Sequence, residues 1–185
     1  IFTEQSSFIS PAISSRVTFF AFAYLTVPLG LIILITYYFD STGDQDGRLW
    51  ILYLICVTKM TDIGGYIIGK KFGQTKLAPY ISPKKTWEGS YGGLALGLST
   101  SVVFYICSDL IFHSTNFKLS FFQSLWLGAV IAILAQLGDL SESLLKRSGG
   151  IKDSNQLPGL GGVLDIVDSL VFSSPVVYIF LKTHY

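Results

Sequence analysis

Residues 17–39 read "VTFFAFAYLTVPLGLIILITYYF" and carry no charged side chain; the only polar side-chain atoms are threonine and tyrosine hydroxyls. At 1.5 Å per residue, a helix of this length crosses a hydrocarbon layer of about 30 Å. The stretch is therefore read as a first membrane helix, with a kink expected at Pro28. Composition supports a membrane protein. The chain has 185 residues, 50% of them hydrophobic and 14% charged, and its mean hydropathy is +0.54. A net charge of +1 lacks the basic excess of a phosphate-tracking protein, so nucleic acid is not expected as a partner. Cys56 and Cys107 fall in apolar stretches without metal-type spacing and read as small packed hydrophobes. The sequence starts at Ile1 and shows no signal peptide. It reads as a single transmembrane region, residues 1–185, forming the C-terminal part of a longer protein.

Four more spans follow. The second runs from about Leu49 to Gly69 and contains Lys59 and Asp62; the third covers 89–108, uncharged and rich in the Gly and Ser that let helices approach closely. A fourth, 119–138, continues past the bilayer edge to about Arg147, and a fifth spans about 162–181. The expected fold is thus an all-α polytopic bundle of about five transmembrane helices. Its connections alternate in charge. The second holds Lys70, Lys71, Lys76, Lys84 and Lys85, and the fourth holds Lys146, Arg147 and Lys152. The first sets Arg48 among three aspartates, and the third has only Lys118. By the positive-inside rule the two basic connections face the cytoplasm.

At that same end lie acidic residues in pairs. Asp165 and Asp168 are three apart, as are Asp139 and Glu142, so each pair shares a helix face. Like charges placed together repel unless a cation lies between them, and burial raises the cost. A hard divalent cation such as Mg²⁺ suits such carboxylates, with substrate phosphates completing its shell. Asp139, Asp165 and Asp168 are taken as functional, because ionisable groups within spans are functional candidates. Glu142 and Asp153 stay open between that role and solvation in interfacial water. Asp62 stays open between substrate binding and an internal ion pair with Lys59 one turn earlier.

The basic connection, "GKKFGQTKLAPYISPKKTWEGS" at 69–90, calls for an anion. Lys84 and Lys85 are read as following a Ser82-Pro83 turn and leading, through Thr86, into a helix start whose free amides bind anions. Lys70 and Lys71 read as ordinary lysines of a cytoplasmic loop. No P-loop is present. His113 and His184 make no catalytic pair, so the serines have no hydrolase partner.

Two segments resemble a known family, the phosphatidate cytidylyltransferases or CDP-diacylglycerol synthases. "TDIGGYIIGKKFGQTKLAPYISPKKTWEG" at 61–89 is similar to the family's upstream motif, and "QLGDLSESLLKRSGGIKDSNQLPGLGGVLDIVDSL" at 136–170 to its C-terminal signature. The resemblance implies an integral-membrane enzyme that joins CTP to phosphatidate, giving CDP-diacylglycerol and pyrophosphate, with Mg²⁺ and often a monovalent cation such as K⁺. It implies that Asp139, Asp165 and Asp168 bind metal, and that Lys84, Lys85, Lys146, Arg147, Lys152 and Asp153 handle nucleotide or phosphate. Lys152 is added to the three aspartates as catalytic; Ser82, Thr86 and Asp62 complete the substrate-binding set. The chain departs from the family at Leu160, where a histidine is usual, and at Ile166, where an arginine is usual. The expected setting is a bacterial inner membrane with the site on the cytoplasmic side. A homodimer stays open. Two other readings compete: a CTP-dependent polyprenol or phytol kinase, and a transporter that buries carboxylates beside lysines.

Overall fold

The computed structural model describes residues 11–39, 47–110, 117–148 and 161–185, with side chains placed at 22–24, 26–39, 47–108, 110, 117–145 and 168–185. In chain order the elements are α1 (Pro11–Thr36), α2 (Arg48–Phe72), β1 (Lys76–Ala78), β2 (Ser82–Thr86), α3 (Trp87–Leu110), α4 (Phe121–Ser148) and α5 (Gly161–His184). The uncharged runs read as spans fall on helices except at 37–39, just after α1, and 119–120, just before α4. α1 continues unbroken through Pro28. Among the described residues three stretches are long and apolar enough to cross a membrane: α2, Trp87–Ser108 of α3 and Phe121–Leu145 of α4; Phe22–Thr36 of α1 is a shorter apolar helix. The outward faces carry large apolar side chains, among them Phe22, Ile33, Val103, Phe122, Ile133 and Ile179. In water so wide an apolar surface would be a liability; against lipid it is the expected exterior of an integral-membrane bundle.

α2 is the centre of the bundle. It runs antiparallel to α3, and small residues set the spacing: a Cβ on Gly64 would lie 2.7 Å from the Gly92 carbonyl oxygen, and one on Gly89 would lie 2.7 Å from that of Gly65. Such close backbone approach replaces the hydrophobic drive that lipid cannot supply. α4 packs against α3 and α5, and α1 against α5. One end is closed by aromatic rings: Trp50 stands 4.6 Å from Phe117 and 5.5 Å from Phe180 between ring centroids. Tyr185 Oη accepts from Lys118 N–H (3.2 Å) and donates to Lys118 O (3.0 Å), tying the residue that follows α5 to the segment that leads into α4. These contacts leave the other end of the bundle to polar chemistry.

The basic connection between α2 and α3 is not irregular. β1 and β2 form an antiparallel hairpin, pairing Lys76 with Thr86 and Ala78 with Ser82. Ser82-Pro83 is therefore not a turn, as the sequence reading had it; the chain reverses at Pro79–Ile81, and Ser82 and Pro83 begin β2. Proline is tolerated there because each strand of a two-stranded sheet has a free edge. Glu88 pins the approach to the hairpin, its carboxylate accepting from the backbone N–H groups of Gln74 (3.2 Å) and Thr75 (3.1 Å).

Candidate functional site

Thr86 ends β2 and immediately precedes α3. Its Oγ1 accepts the Gly89 N–H at 3.2 Å, so it caps α3. The cap is buried, and Gly69 and Gly73 of the α2 end crowd it closely enough that a Cβ on Gly69 would lie 3.1 Å from Thr86 Oγ1. The hairpin is thereby fixed over the end of α2, and a cavity of about 530 Å³ opens beneath it. Lys76, Lys84 and Lys85 reach it from the hairpin, Lys70 from α2, and Asp62 and Asp139 from α2 and α4. Ser90 and Gln136 form its inner wall and bind each other: Ser90 Oγ donates to Gln136 Oε1, and Gln136 Nε2 donates to Ser90 O at 3.2 Å. That pair locks α3 to α4 beside the cavity.

Behind Asp139 lies a second feature. Asp139 and Glu142 on α4 and Asp168 on α5 each place a carboxylate oxygen within 4.8 Å of the others. Glu142 is 3% exposed and Asp168 7%. The helices can bring these groups together because Gly138 has no side chain; a Cβ there would fall on the Asp168 carbonyl oxygen. Three carboxylates so close, two of them buried and the third, Asp139, partly exposed, repel one another. The donor set, three hard oxygens at one point, suits a hard divalent cation. The buried acidic cluster is thus able to hold a metal ion.

Lysines border the cluster without filling it. Lys85 Nζ is 2.7 Å from Asp139 Oδ2. Lys59 Nζ lies 3.5 Å from Asp62 Oδ2 and donates to Ser169 Oγ at 3.3 Å, linking α2 to α5. The ion pair weighed for Asp62 is therefore present, yet the same carboxyl also lines the cavity.

Of the residues singled out from sequence, the structure gathers Asp62, Lys84, Lys85, Thr86 and Asp139 around one cavity. It brings Asp168 to Asp139 through the carboxylate group. Ser82 lies on β2, opposite Ala78, and does not line the cavity. Asp165 lies on α5 and Lys146 and Arg147 on α4, but their side chains, and Lys152 and Asp153 altogether, fall outside the described residues, as does Leu160. Glu142, left open in the sequence together with Asp153 and Asp62, joins the carboxylate group; its three-residue spacing from Asp139 was the available signal. Gln136 and Ser90 carried none, since a lone amide and a lone serine in apolar runs look like packing.

The chain is similar to known proteins over most of its length. The family model described as "Cytidylyltransferase family" matches residues 6–184. The chain is 36% identical over 182 residues to the phosphatidate cytidylyltransferase of Chlamydia muridarum, covering 98% of this chain and 59% of that protein. It is 43% identical to the phosphatidate cytidylyltransferase of Staphylococcus haemolyticus (78% of this chain, 53% of that protein). To the one of Bacillus subtilis it is 40% identical (75% and 49%). The chain spans between about half and three-fifths of these relatives' lengths.

Proposed function

We propose, since this chain belongs to the cytidylyltransferase family, that it is the catalytic region of a phosphatidate cytidylyltransferase, joining CTP to phosphatidate with release of pyrophosphate. One observation carries the reading. Asp139 belongs at once to the buried carboxylate group and to the wall of a lysine-lined cavity, 2.7 Å from Lys85. A metal-bound polyphosphate needs cationic side chains and metal-holding carboxylates side by side, and here they meet at one residue.

Asp139, Glu142 and Asp168 would hold the magnesium ion, with Asp165, one turn before Asp168 on the same helix, as a further ligand. Bound there, Mg²⁺ supplies charge neutralisation of the triphosphate. Lys84 and Lys85 hold the phosphates from the hairpin side, Lys146 and Arg147 from the last turn of α4, and Lys152 from the connection that follows, where Asp153 also belongs to the substrate site; a monovalent cation such as K⁺ accompanies the magnesium. The phosphatidate phosphate has its second pKa near ~6, so at neutral pH it is already largely the dianion and needs no general base. One of its oxygens forms a bond to the α-phosphorus of CTP as the bond to the departing pyrophosphate breaks in line. What the protein contributes is positioning and fixed positive charge. The two substrates arrive from different phases, CTP from the cytoplasm and phosphatidate from the inner leaflet of the membrane.

The test is product analysis with the full-length protein, CTP and phosphatidate. The reading requires CDP-diacylglycerol and pyrophosphate in equal amounts, dependent on Mg²⁺. Release of CDP with a phosphorylated lipid would instead establish a CTP-dependent lipid kinase, and movement of solute without CTP consumption a transporter.

A further inference from the structure

One wall of the cavity continues onto the outside of the bundle. Ile63, Tyr66, Ile67 and Lys70 of α2 are spaced i, i+3, i+4 and i+7, which puts them on a single stripe of the helix. The stripe is open along its length: Ile63 is 45% exposed, Tyr66 67% and Ile67 51%, and Lys70 is exposed as well. Two of its members, Tyr66 and Lys70, also line the cavity. The stripe therefore begins as an apolar, lipid-facing surface and ends, about 10 Å further along the axis, as an ammonium group at the cavity mouth.

The charge at that mouth is uncommitted. Lys85 is paired with Asp139 and Lys59 with Asp62, whereas Lys70 is held by a neutral neighbour. Its Nζ lies 3.4 Å from Tyr66 Oη and 5.5 Å from the centre of that ring. Among the described residues no carboxylate forms an ion pair with it. Lys71, next in sequence, does something different: it stands over the Phe72 ring at 5.3 Å and does not line the cavity. The two adjacent lysines that look alike in sequence are thus distinct in place.

We infer that the Ile63–Tyr66–Ile67–Lys70 stripe is the lateral docking track for the lipid substrate, with Lys70 Nζ and Tyr66 Oη binding its phosphate monoester at the cavity mouth. The chemistry is complementary along the whole track. Acyl chains lie on the isoleucines without leaving the hydrocarbon layer, and an anionic phosphate meets a cation and a hydroxyl at the interface. A phosphate monoester attracts them more strongly than a diester headgroup because it carries more negative charge and more free oxygens. The track selects the lipid and leaves CTP to the hairpin lysines. The inference rests on the proposed function for the identity of the lipid.

Two measurements on the full-length protein in bilayers of phosphatidylcholine with graded phosphatidate test it. The first is lipid retention, read by native mass spectrometry: wild type retains phosphatidate in preference to phosphatidylcholine, and Lys70→Met loses that preference while Lys71→Met keeps it. The second is turnover. Lys70→Met raises the apparent KM for phosphatidate by about tenfold and Tyr66→Phe by about threefold, the range expected when one hydrogen bond of ordinary strength is lost. The KM for CTP and the rate at saturating lipid stay within about twofold, and Lys70→Arg restores the lipid KM. An unchanged preference and lipid KM in Lys70→Met, or an equal rise in both KM values, overturns the inference. Lys70-dependent phosphatidate retention without CDP-diacylglycerol formation removes the proposed activity and leaves the docking track standing.

Discussion

Lys85 Nζ lies 2.7 Å from Asp139 Oδ2, so the α2–α3 hairpin is tied by an ion pair to the helix that carries two of the three clustered carboxylates. Both partners are partly exposed, with relative side-chain areas of 22% and 37%. A pair in such a position contributes modestly to stability, about 0–1 kcal/mol. Its importance is positional. On the proposed function, a metal ion taken up by Asp139 would free Lys85 toward the anion that arrives with it.

Lys85→Met should therefore cost much activity and little stability. We expect kcat/KM for CTP to fall by about a hundredfold or more, from lost charge-assisted contacts, while the thermal midpoint moves by no more than a few degrees. Steady-state kinetics and a thermal melt in the same detergent check both halves. A large loss of stability with unchanged kinetics would show the pair to be architectural.

Removing a carboxylate should act on metal affinity. Glu142→Gln is expected to raise the Mg²⁺ concentration for half-maximal activity by about tenfold or more, and Asp168→Asn to abolish turnover. Mg²⁺ should also stabilise the wild type, by about 2.7 kcal/mol at a hundred times its dissociation constant. Melting with and without chelator measures this, and the difference should disappear in Asp168→Asn.

Gly138→Ala probes how closely α4 and α5 must pack. The added methyl would fall on the Asp168 carbonyl oxygen, and the helices must separate to admit it. Overpacking of this kind costs about 1–3 kcal/mol. Because the displaced residue is Asp168, the variant should also need more Mg²⁺ than wild type, read from the same titration.

Thr86→Ala removes the α3 cap without touching a charge. Loss of the Oγ1 contact to the Gly89 N–H should destabilise by about 1 kcal/mol. Thr86→Ser, which keeps the oxygen, should recover most of that in a denaturation series.

Uncharged length made the helices legible: hydrocarbon thickness demands it, and the runs at 17–39, 89–108 and 119–138 supply it. The hairpin was not legible. "KLA" and "SPKKT" lack the alternation that marks a half-buried strand, and they pair because Thr86 and Glu88 anchor the segment to α2 and α3, contacts distant enough that no local pattern encodes them. Ser82-Pro83 consequently read as a turn. Within the site, Asp139 and Asp168 stood out because a carboxylate in an apolar span costs energy wherever it lies. Glu142 looked equally at home in interfacial water, and its burial depends on α5 packing across it. The separation of Lys70 from Lys71 depends on helix phase relative to the cavity, which became visible only when the hairpin was in place.

A divalent cation is expected to join Asp139, Glu142 and Asp168 beside the lysine-lined cavity. Anomalous scattering from crystals of the full-length protein grown with Mn²⁺ and CTP measures this directly. The expected result is a manganese peak within about 2.5 Å of oxygens of those carboxylates, with the triphosphate reaching it from the Lys85 side. A peak coordinated elsewhere, or bound triphosphate with no ion at the cluster, would contradict it.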